Sequence, residues 1–121
     1  MSGFNDLEIY RIAFELAIKV HKASLKLPQF ELYEQGGQIR RSSKSIKDTI
    51  AEGYGRRRYK AEYIRYLVFA QASCDETNSQ LEMLIILYPE IDDFKELKPE
   101  YEKLGSKINN YISYVEKNWR T

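Results

Sequence analysis

Apolar side chains recur along this chain with the 3.6-residue spacing of amphipathic α-helices. The pattern predicts four helices, over about residues 6–27, 31–53, 59–88 and from about 93 onward, separated by short breaks that contain Pro or Gly. No alternation typical of strands and no internal repeat is visible. Long amphipathic helices joined by short breaks pack as antiparallel neighbours. The sequence therefore predicts an all-α fold, an antiparallel up-down four-helix bundle, with residues 1–121 forming a single domain.

Local signals predict where these helices begin and end. Asn5 can cap the first helix, with Glu8 three residues later as in a capping box, and Pro28 ends it. Gly53 is placed to end the second helix as a left-handed cap. Pro99 falls in or near the first turn of the last helix, where proline is tolerated.

The first and third predicted helices carry more apolar surface than the interior of one small bundle uses. A helix in such a bundle needs an apolar stripe only somewhat wider than about 100°. In the first helix, which includes Phe14, only one narrow arc is polar, and in the third helix apolar residues such as Tyr66, Phe69 and Met83 spread beyond the core stripe. We therefore expect a second buried contact with another copy of the chain, which would make the protein a homo-oligomer.

Candidate catalytic residues are few. His21 is the only histidine and is predicted on the apolar side of the first helix, while Cys74, the only cysteine, falls in the core stripe of the third. A structural role is favoured for both, because the usual partners of a catalytic or metal-binding histidine are missing. Di-iron bundles need paired Glu-x-x-His motifs, which one histidine cannot supply. We expect no enzyme activity, no metal and no cofactor.

The composition is that of an ordinary soluble protein, with 43% hydrophobic residues, 31% charged residues and a formal net charge of +1. A net charge this small argues against a chain that coats nucleic acid over its whole surface. The lone cysteine fits a reducing compartment. The sequence shows neither a signal peptide nor the roughly 18 consecutive apolar residues that suggest a membrane span. We expect a cytoplasmic protein with no membrane contact.

Positive charge is nevertheless concentrated in residues 38–65, which hold nine of the nineteen Lys and Arg residues against three acidic ones. Arginines 56–58 are consecutive at a predicted turn, and Tyr54 and Tyr59 flank them. Arginine at a turn can contact phosphates bidentately without reading a base sequence. The candidate nucleic-acid-binding residues are Arg40, Arg41, Lys44, Lys47, Arg56, Arg57, Arg58 and Lys60. Two other interpretations stay open: a solvated helix face, and an Arg–Glu network between subunits that includes Glu52.

The same segment carries a family resemblance. QIRRSSKSIKDTIAEGYGR, residues 38–56, resembles the hallmark segment of the 23S rRNA intervening-sequence protein family, also called four helix bundle proteins, in which members typically read Q-I-R-R-x-x-x-S-I-x-x-N-I-A-E-G-x-G-R. FNDLEIYRIAFELA resembles the N-terminal F-x-D-L-x-x-Y/W pattern of that family, and ASCDETNSQL resembles its G-S-x-x-E-L segment. The likeness covers roughly residues 4–88. The chain departs from the family pattern at Thr49, Ala72 and Thr77.

The resemblance implies a bundle that assembles as a ring-like homopentamer and has no catalytic residue. Some family members are encoded inside insertions in bacterial 23S rRNA genes, and the family carries a ribosomal-protein-like name. The family is also similar to accessory proteins of diversity-generating retroelements, which bind a reverse transcriptase and nucleic acid. We therefore expect a non-enzymatic RNA-binding, nucleic-acid-binding or ribonucleoprotein accessory protein, with RNA, DNA or a nucleic-acid enzyme as its partner. The alternative is a scaffold or adaptor ring that binds only protein.

Overall fold

A computed structural model describes residues 3–120 and contains four long α-helices and one short one. The helices are α1 (Glu8–Ser24), α2 (Gln29–Leu32), α3 (Gln35–Gly55), α4 (Lys60–Leu87) and α5 (Asp92–Asn118). A 3₁₀ turn, Phe4–Asp6, precedes α1, and no strand occurs in the part of the chain that the structure describes. The predicted all-α class and the four long helices are confirmed.

The four long helices enclose one hydrophobic core. Both α1 and α4 pack against α3 and against α5. The core comes from the apolar stripes of the helices, and its largest fully buried side chains include Tyr63, Phe94 and Tyr101. The Tyr63 hydroxyl lies 2.8 Å from that of Tyr111. Burial raises the pKa of Tyr63 and of Tyr101, because the charged phenolate would lose its hydration in the core.

Small polar side chains line the contact between α3 and α4. The Ser42 hydroxyl donates a hydrogen bond to the Gln80 side-chain oxygen at 2.6 Å and accepts one from the Thr77 hydroxyl at 2.9 Å. The hydroxyls of Ser45 and Ser73 lie 3.1 Å apart. The small side chains let the two helices approach closely, and the hydrogen bonds satisfy hydroxyls that would be costly to bury alone.

The first helix begins two residues later than predicted. Leu7, with an extended backbone (ψ 131°), is the N-cap residue of α1, and no side chain caps the helix. The Asp6 carboxylate accepts a hydrogen bond from the Gly3 N–H at 3.2 Å and so belongs to the preceding 3₁₀ turn. The capping box predicted for Asn5 and Glu8 is therefore wrong, because the 3₁₀ turn and the extended Leu7 separate Asn5 from the helix.

The connection between α1 and α3 also differs from the prediction. Residues 29–32 form α2, a helix of four residues, and α3 begins at Gln35 instead of near residue 31. Glu31 turns inward, and its carboxylate accepts a hydrogen bond from the Tyr88 hydroxyl at 2.6 Å and one from the Gln35 N–H at 3.4 Å. These contacts attach the connection to the ends of α3 and α4.

Gly53 does not act as a left-handed cap. None of the glycines that the structure describes has a positive φ, and α3 continues to Gly55. A Cβ atom on Gly53 would lie 2.9 Å from the Cβ of Tyr66 on α4. Glycine is required at this position because it lets the two helices touch, and the predicted cap is wrong.

Pro99 lies inside α5 and not in its first turn, because α5 begins at Asp92. Proline has no N–H to donate to the carbonyl of residue 95, so one bond of the helical ladder is missing. The side chain of Pro99 is exposed, which leaves that carbonyl on the solvent side of the bundle.

Candidate nucleic-acid interface

The structure does not bring the eight candidate residues together into one surface. They fall into four places: the junction of α1, α2 and α3, where Arg40 is half-buried, the α3–α4 side (Arg41), a groove between α1 and α3 (Lys44, Lys47), and one end of the bundle (Arg56, Arg57, Arg58, Lys60). At 1.5 Å of rise per residue, Lys47 and Arg56 are about 13 Å apart along α3. A small ligand would therefore contact only one of these four places.

Arg40 is a structural residue. Its guanidinium donates hydrogen bonds to the Ser24 hydroxyl at 2.8 Å and to the Leu32 carbonyl at 2.6 Å. The buried Ser24 hydroxyl in turn donates to the His21 carbonyl at 2.7 Å. A Cβ on Gly36 would lie 3.2 Å from the Arg40 Nη1 atom, so the missing side chain there leaves room for the guanidinium. Arg40 is therefore half-buried, and both groups that its guanidinium contacts belong to the bundle.

Arg41 is exposed and lines a shallow depression between α3 and α4 together with Gln38 and Glu76. The Glu76 carboxylate accepts a hydrogen bond from the Gln80 amide at 3.3 Å. The acidic side chain beside Arg41 reduces the attraction of this spot for a phosphate. Arg41 is therefore a weaker candidate than the arginines at the bundle end.

A groove of about 440 Å³ runs between α1 and α3, and it contains two of the candidate lysines. It is lined by Phe14, Ala17, Ile18, His21, Lys22, Lys44 and Lys47. Phe14 and Ile18 are 42% and 44% exposed on its apolar floor, and the Lys47 ammonium lies 5.7 Å from the Phe14 ring centroid. His21 is exposed at the edge of the groove and does not lie in the core. Lys47 also pairs with Asp48.

The turn from α3 to α4, residues 56–58, lies against the C-terminal part of α5. The Trp119 indole N–H donates to the Arg57 carbonyl at 2.8 Å, and the Lys60 ammonium donates to the Glu116 carbonyl at 2.6 Å. These two bonds hold the backbone of the turn in place. Part of the hydrogen-bonding capacity of Lys60 is therefore used by α5. The role of Trp119 could not be predicted from helical periodicity, because its partner Arg57 lies 62 residues earlier in the chain.

Arg57 and Arg58 have different environments within that turn. The Arg57 guanidinium lies 3.9 Å from the Tyr54 ring centroid and donates to the Tyr54 carbonyl at 2.8 Å, which fixes its direction. Arg58 is exposed, and among residues 3–120 its side chain has neither a hydrogen bond nor an ion pair. Its nearest aromatic ring is that of Tyr59, at 5.9 Å. Of the three arginines, Arg58 is therefore the one whose side chain has no polar partner among residues 3–120.

Arg56 shares its acidic partner with Arg65. Glu62 pairs with Arg56 at 3.5 Å and with Arg65 at 3.4 Å, while Arg56 lies 4.7 Å from the Tyr66 ring centroid. Glu52, which the sequence suggested as the partner, is exposed and makes no ion pair within the described chain. Exposed pairs of this kind contribute only about 0–1 kcal/mol. A phosphate can therefore replace Glu62 as the partner of Arg56 at little cost.

Cys74 is a core residue, as predicted. It is fully buried, and its thiol donates to the Tyr101 carbonyl at 3.4 Å. Burial raises the pKa of the Cys74 thiol to about 12, so it is not a thiolate at neutral pH. Among residues 3–120 there is no group of three or more His, Cys, Asp or Glu side chains that could hold a metal ion. Of the described helices, none is both long enough and apolar enough to cross a membrane.

These features define the class of protein: an all-helical four-helix bundle with a half-buried arginine that joins three helices and an arginine-rich turn at one end. The chain belongs to the 23S rRNA-intervening sequence protein family, whose model matches residues 5–110. The resemblance seen in residues 38–56 is thereby confirmed. A comparison with curated proteins gave no match.

Proposed function

We propose that this protein is a non-enzymatic homo-oligomer that binds RNA, as an accessory of a ribonucleoprotein, through phosphate contacts at the turn of residues 56–58. The observation that carries the proposal is the accessible cation Arg58 on a turn whose backbone Trp119 and Lys60 hold in place. RNA is favoured over DNA by the family description, which refers to sequences that interrupt 23S rRNA.

The geometry of the turn supports contacts with a nucleic-acid backbone. Arg58 is free to approach a phosphate, and Arg56 can exchange its long ion pair with Glu62 for one. Arg57 remains on Tyr54 and orients the turn. Contacts of this kind position a protein on a nucleic acid without specifying a sequence, and their strength falls steeply with salt.

We also infer that the long helices alternate in direction, as in an antiparallel up-down bundle. The pairing of positions supports this arrangement, because the earlier residue on α3 meets the later residue on α4: Ser42 contacts Thr77, and Ser45 contacts Ser73. Similarly, Lys26, after the end of α1, pairs with Asp93 in the first turn of α5. Short connections favour the same topology.

The proposed assembly is a ring-like homopentamer. The groove beside Phe14 and the exposed face of α4 around Phe69, which is 45% exposed, are the two surfaces that neighbouring subunits would cover. The lysines of the groove and the acidic Glu76, which lies on the same side of α4 as Phe69, suit a head-to-tail contact between these surfaces. The number five comes from the family resemblance alone.

A protein-only scaffold ring is the second candidate function. The environment of Arg40 favours this function, since the guanidinium of this hallmark residue is hydrogen-bonded within the bundle and is not free to bind a phosphate. Arg57, held on Tyr54, is a second case in which positive charge has a structural partner. In this alternative the remaining cations are a solvated face or contacts between subunits.

Titration of labelled RNA and labelled duplex DNA of equal length, at about 50 and 200 mM salt, separates the two functions. We expect binding at low salt that weakens strongly at the higher salt. Replacing residues 56–58 by Gln together should flatten the salt dependence and leave helix content and oligomer size unchanged. A control with the same loss of charge replaces Lys95, Lys98 and Lys103 of α5 by Gln. If neither nucleic acid binds at about 50 mM salt, the protein-only ring is the better account.

A further inference from the structure

The connection between α1 and α3 reverses the usual pattern of burial. It buries the carboxylate of Glu31, which is 7% exposed, and exposes Phe30 and Tyr33, which are 71% and 81% exposed. Leu25, at the start of the connection, is 59% exposed. Large aromatic side chains on a monomeric surface gain the most when a partner covers them. The exposure of Phe30 and Tyr33 beside a buried carboxylate therefore indicates a surface that contacts a partner.

An ordered segment presents these aromatic side chains. Leu27 is buried in the core, and Leu32 is half-buried against it. The Glu31 carboxylate accepts hydrogen bonds from the Tyr88 hydroxyl and the Gln35 N–H. Because its inward side chains are anchored in this way, the connection holds Phe30 and Tyr33 in fixed positions on the surface. Binding a partner there therefore costs little conformational entropy.

Acidic side chains lie at the same end of the bundle as this apolar surface. Residues 25–36 and 86–95, which the bond between Glu31 and Tyr88 links at the same end of the bundle, contain five acidic and two basic residues. Lys26 is paired with Asp93 at 2.8 Å, and Lys95 donates to the Pro89 carbonyl at 3.1 Å. Within residues 3–120, three exposed carboxylates at this end make no ion pair: Glu34, Glu90 and Asp92.

The other end of the bundle has the opposite character. Residues 54–65 and 111–120 contain seven basic and two acidic residues. The molecule therefore has a basic end, which carries the turn of residues 56–58, and an acidic apolar end formed by residues 25–36 and 86–95. One ligand chemistry cannot suit both ends.

We propose that the acidic apolar end is a docking site for a protein partner, through a segment in which Lys or Arg side chains accompany apolar ones. Phe30 and Tyr33 supply the apolar contact, and the unpaired carboxylates supply the charge complement. Nucleic acid and anionic lipid are poor ligands here, because the carboxylates repel phosphates. This inference does not depend on the proposed RNA binding, which uses the opposite end.

The test uses the full-length protein and two labelled amphipathic helical peptides of about 18 residues, one built from Lys and Leu and the other from Glu and Leu. Phe30→Ser with Tyr33→Ser should weaken binding of the Lys/Leu peptide about tenfold or more, since two central aromatic anchors are lost. Tyr59→Ser with Tyr114→Ser, which removes two exposed aromatic rings elsewhere, is the matched control and should bind as the unchanged protein does.

A second variant keeps the test independent of any effect of the first on folding. Glu34→Gln, Glu90→Gln and Asp92→Asn together should weaken binding of the Lys/Leu peptide and flatten its salt dependence, and should not weaken binding of the Glu/Leu peptide, because repulsion of that peptide decreases. Replacing residues 56–58 by Gln should leave binding of the Lys/Leu peptide intact, even if RNA binding is lost or never existed.

Three results would overturn the proposal. The first is equal affinity of the Phe30/Tyr33 variant and the unchanged protein for the Lys/Leu peptide. The second is a loss of Glu/Leu binding in that variant as large as its loss of Lys/Leu binding. The third is association of the protein with itself that grows with concentration and disappears in the Phe30/Tyr33 variant, because the occupant would then be another copy of the chain.

Discussion

The guanidinium of Arg40 and the hydroxyl of Ser24 are hydrogen-bonded at 2.8 Å across the contact between α3 and α1. The same guanidinium reaches the Leu32 carbonyl at 2.6 Å, so one side chain of α3 joins the end of α1 to the connection that follows it. An arginine of the family's hallmark segment therefore stabilises the bundle, and its presence there does not by itself indicate nucleic-acid binding.

Replacing Arg40 by Ala should destabilise the protein by about 2–3 kcal/mol, because two charge-assisted hydrogen bonds are lost and the buried Ser24 hydroxyl loses a partner. Arg41→Ala is the matched control on an exposed neighbouring position, and a change within about 0.5 kcal/mol is expected there. Denaturant unfolding followed by circular dichroism measures both. An Arg40 variant of full stability that binds RNA with a weaker salt dependence would contradict the structural role.

Gly53 and Gly55 should respond in opposite directions to the same substitution. Gly53→Ala should destabilise the protein, since the new Cβ would lie 2.9 Å from the Tyr66 Cβ and would push α3 away from α4. Gly55→Ala should stabilise it by about 0.4–1 kcal/mol, because nothing lies within 4 Å of the new Cβ and the unfolded chain loses freedom. Thermal unfolding of the two variants side by side tests the pair. Equal effects at the two positions would be inconsistent with the close contact at Gly53.

The hydrogen bond from Tyr88 to Glu31 should make stability depend on alkaline pH. This bond raises the pKa of Tyr88 to about 12 in the folded protein, against about 10 in the unfolded chain. Between these values the folded state keeps a proton that the unfolded state has lost, so stability falls as pH rises from about 10 to about 12. Tyr88→Phe should show a shallower loss over that range and a lower stability at pH 7.

Glu31→Gln is the companion variant, because it removes the carboxylate that raises the pKa of Tyr88. It should also show a shallower loss of stability between pH 10 and 12. Denaturant midpoints measured at pH 7, 10, 11 and 12 for the three proteins provide the comparison. Parallel curves for all three would show that the bond to Glu31 does not set the alkaline response.

Arg58 and Trp119 should affect RNA binding for different reasons. Arg58→Gln removes an accessible cation, so the salt slope of binding should fall by about one phosphate contact with no change in stability. Trp119→Phe keeps an aromatic ring but removes the N–H that donates to the Arg57 carbonyl. It should speed amide exchange in residues 56–59 and weaken binding without changing the salt slope. An unchanged RNA affinity in both variants would exclude the turn as the binding site.

Phe14→Asp and Phe69→Asp should each dissociate the oligomer and leave the bundle folded. The two rings are 42% and 45% exposed in the single chain, so a charge there does not enter the core, but it would be buried between subunits. Tyr114→Asp, at a position that is 52% exposed, serves as the control. Light scattering and sedimentation measure the mass, and a mass equal to that of one chain for the unchanged protein would contradict the proposed ring.

Much of the fold was predictable because helical periodicity is a local property. The 3.6-residue stripes of Leu67, Cys74 and Leu81 on α4 and of Tyr101 and Leu104 on α5 identify the sides that are buried in the structure. Breaks at Pro28 and Pro89 separate the helices for reasons that lie within a few residues of each break. The hallmark segment identified the family in the same way, because its residues are contiguous.

The roles of the charged side chains required the tertiary structure. A stripe specifies which arc of a helix faces the core, but a long arginine at the edge of that arc can turn either way. Arg40 turns inward because Gly36 leaves space and because Ser24 and Leu32 bring acceptors to it from other elements. The carboxylate of Glu31 is buried for the same kind of reason, since its partner Tyr88 is 57 residues away in the chain. Contacts between residues so distant in sequence depend on how the helices pack, and no local pattern encodes them.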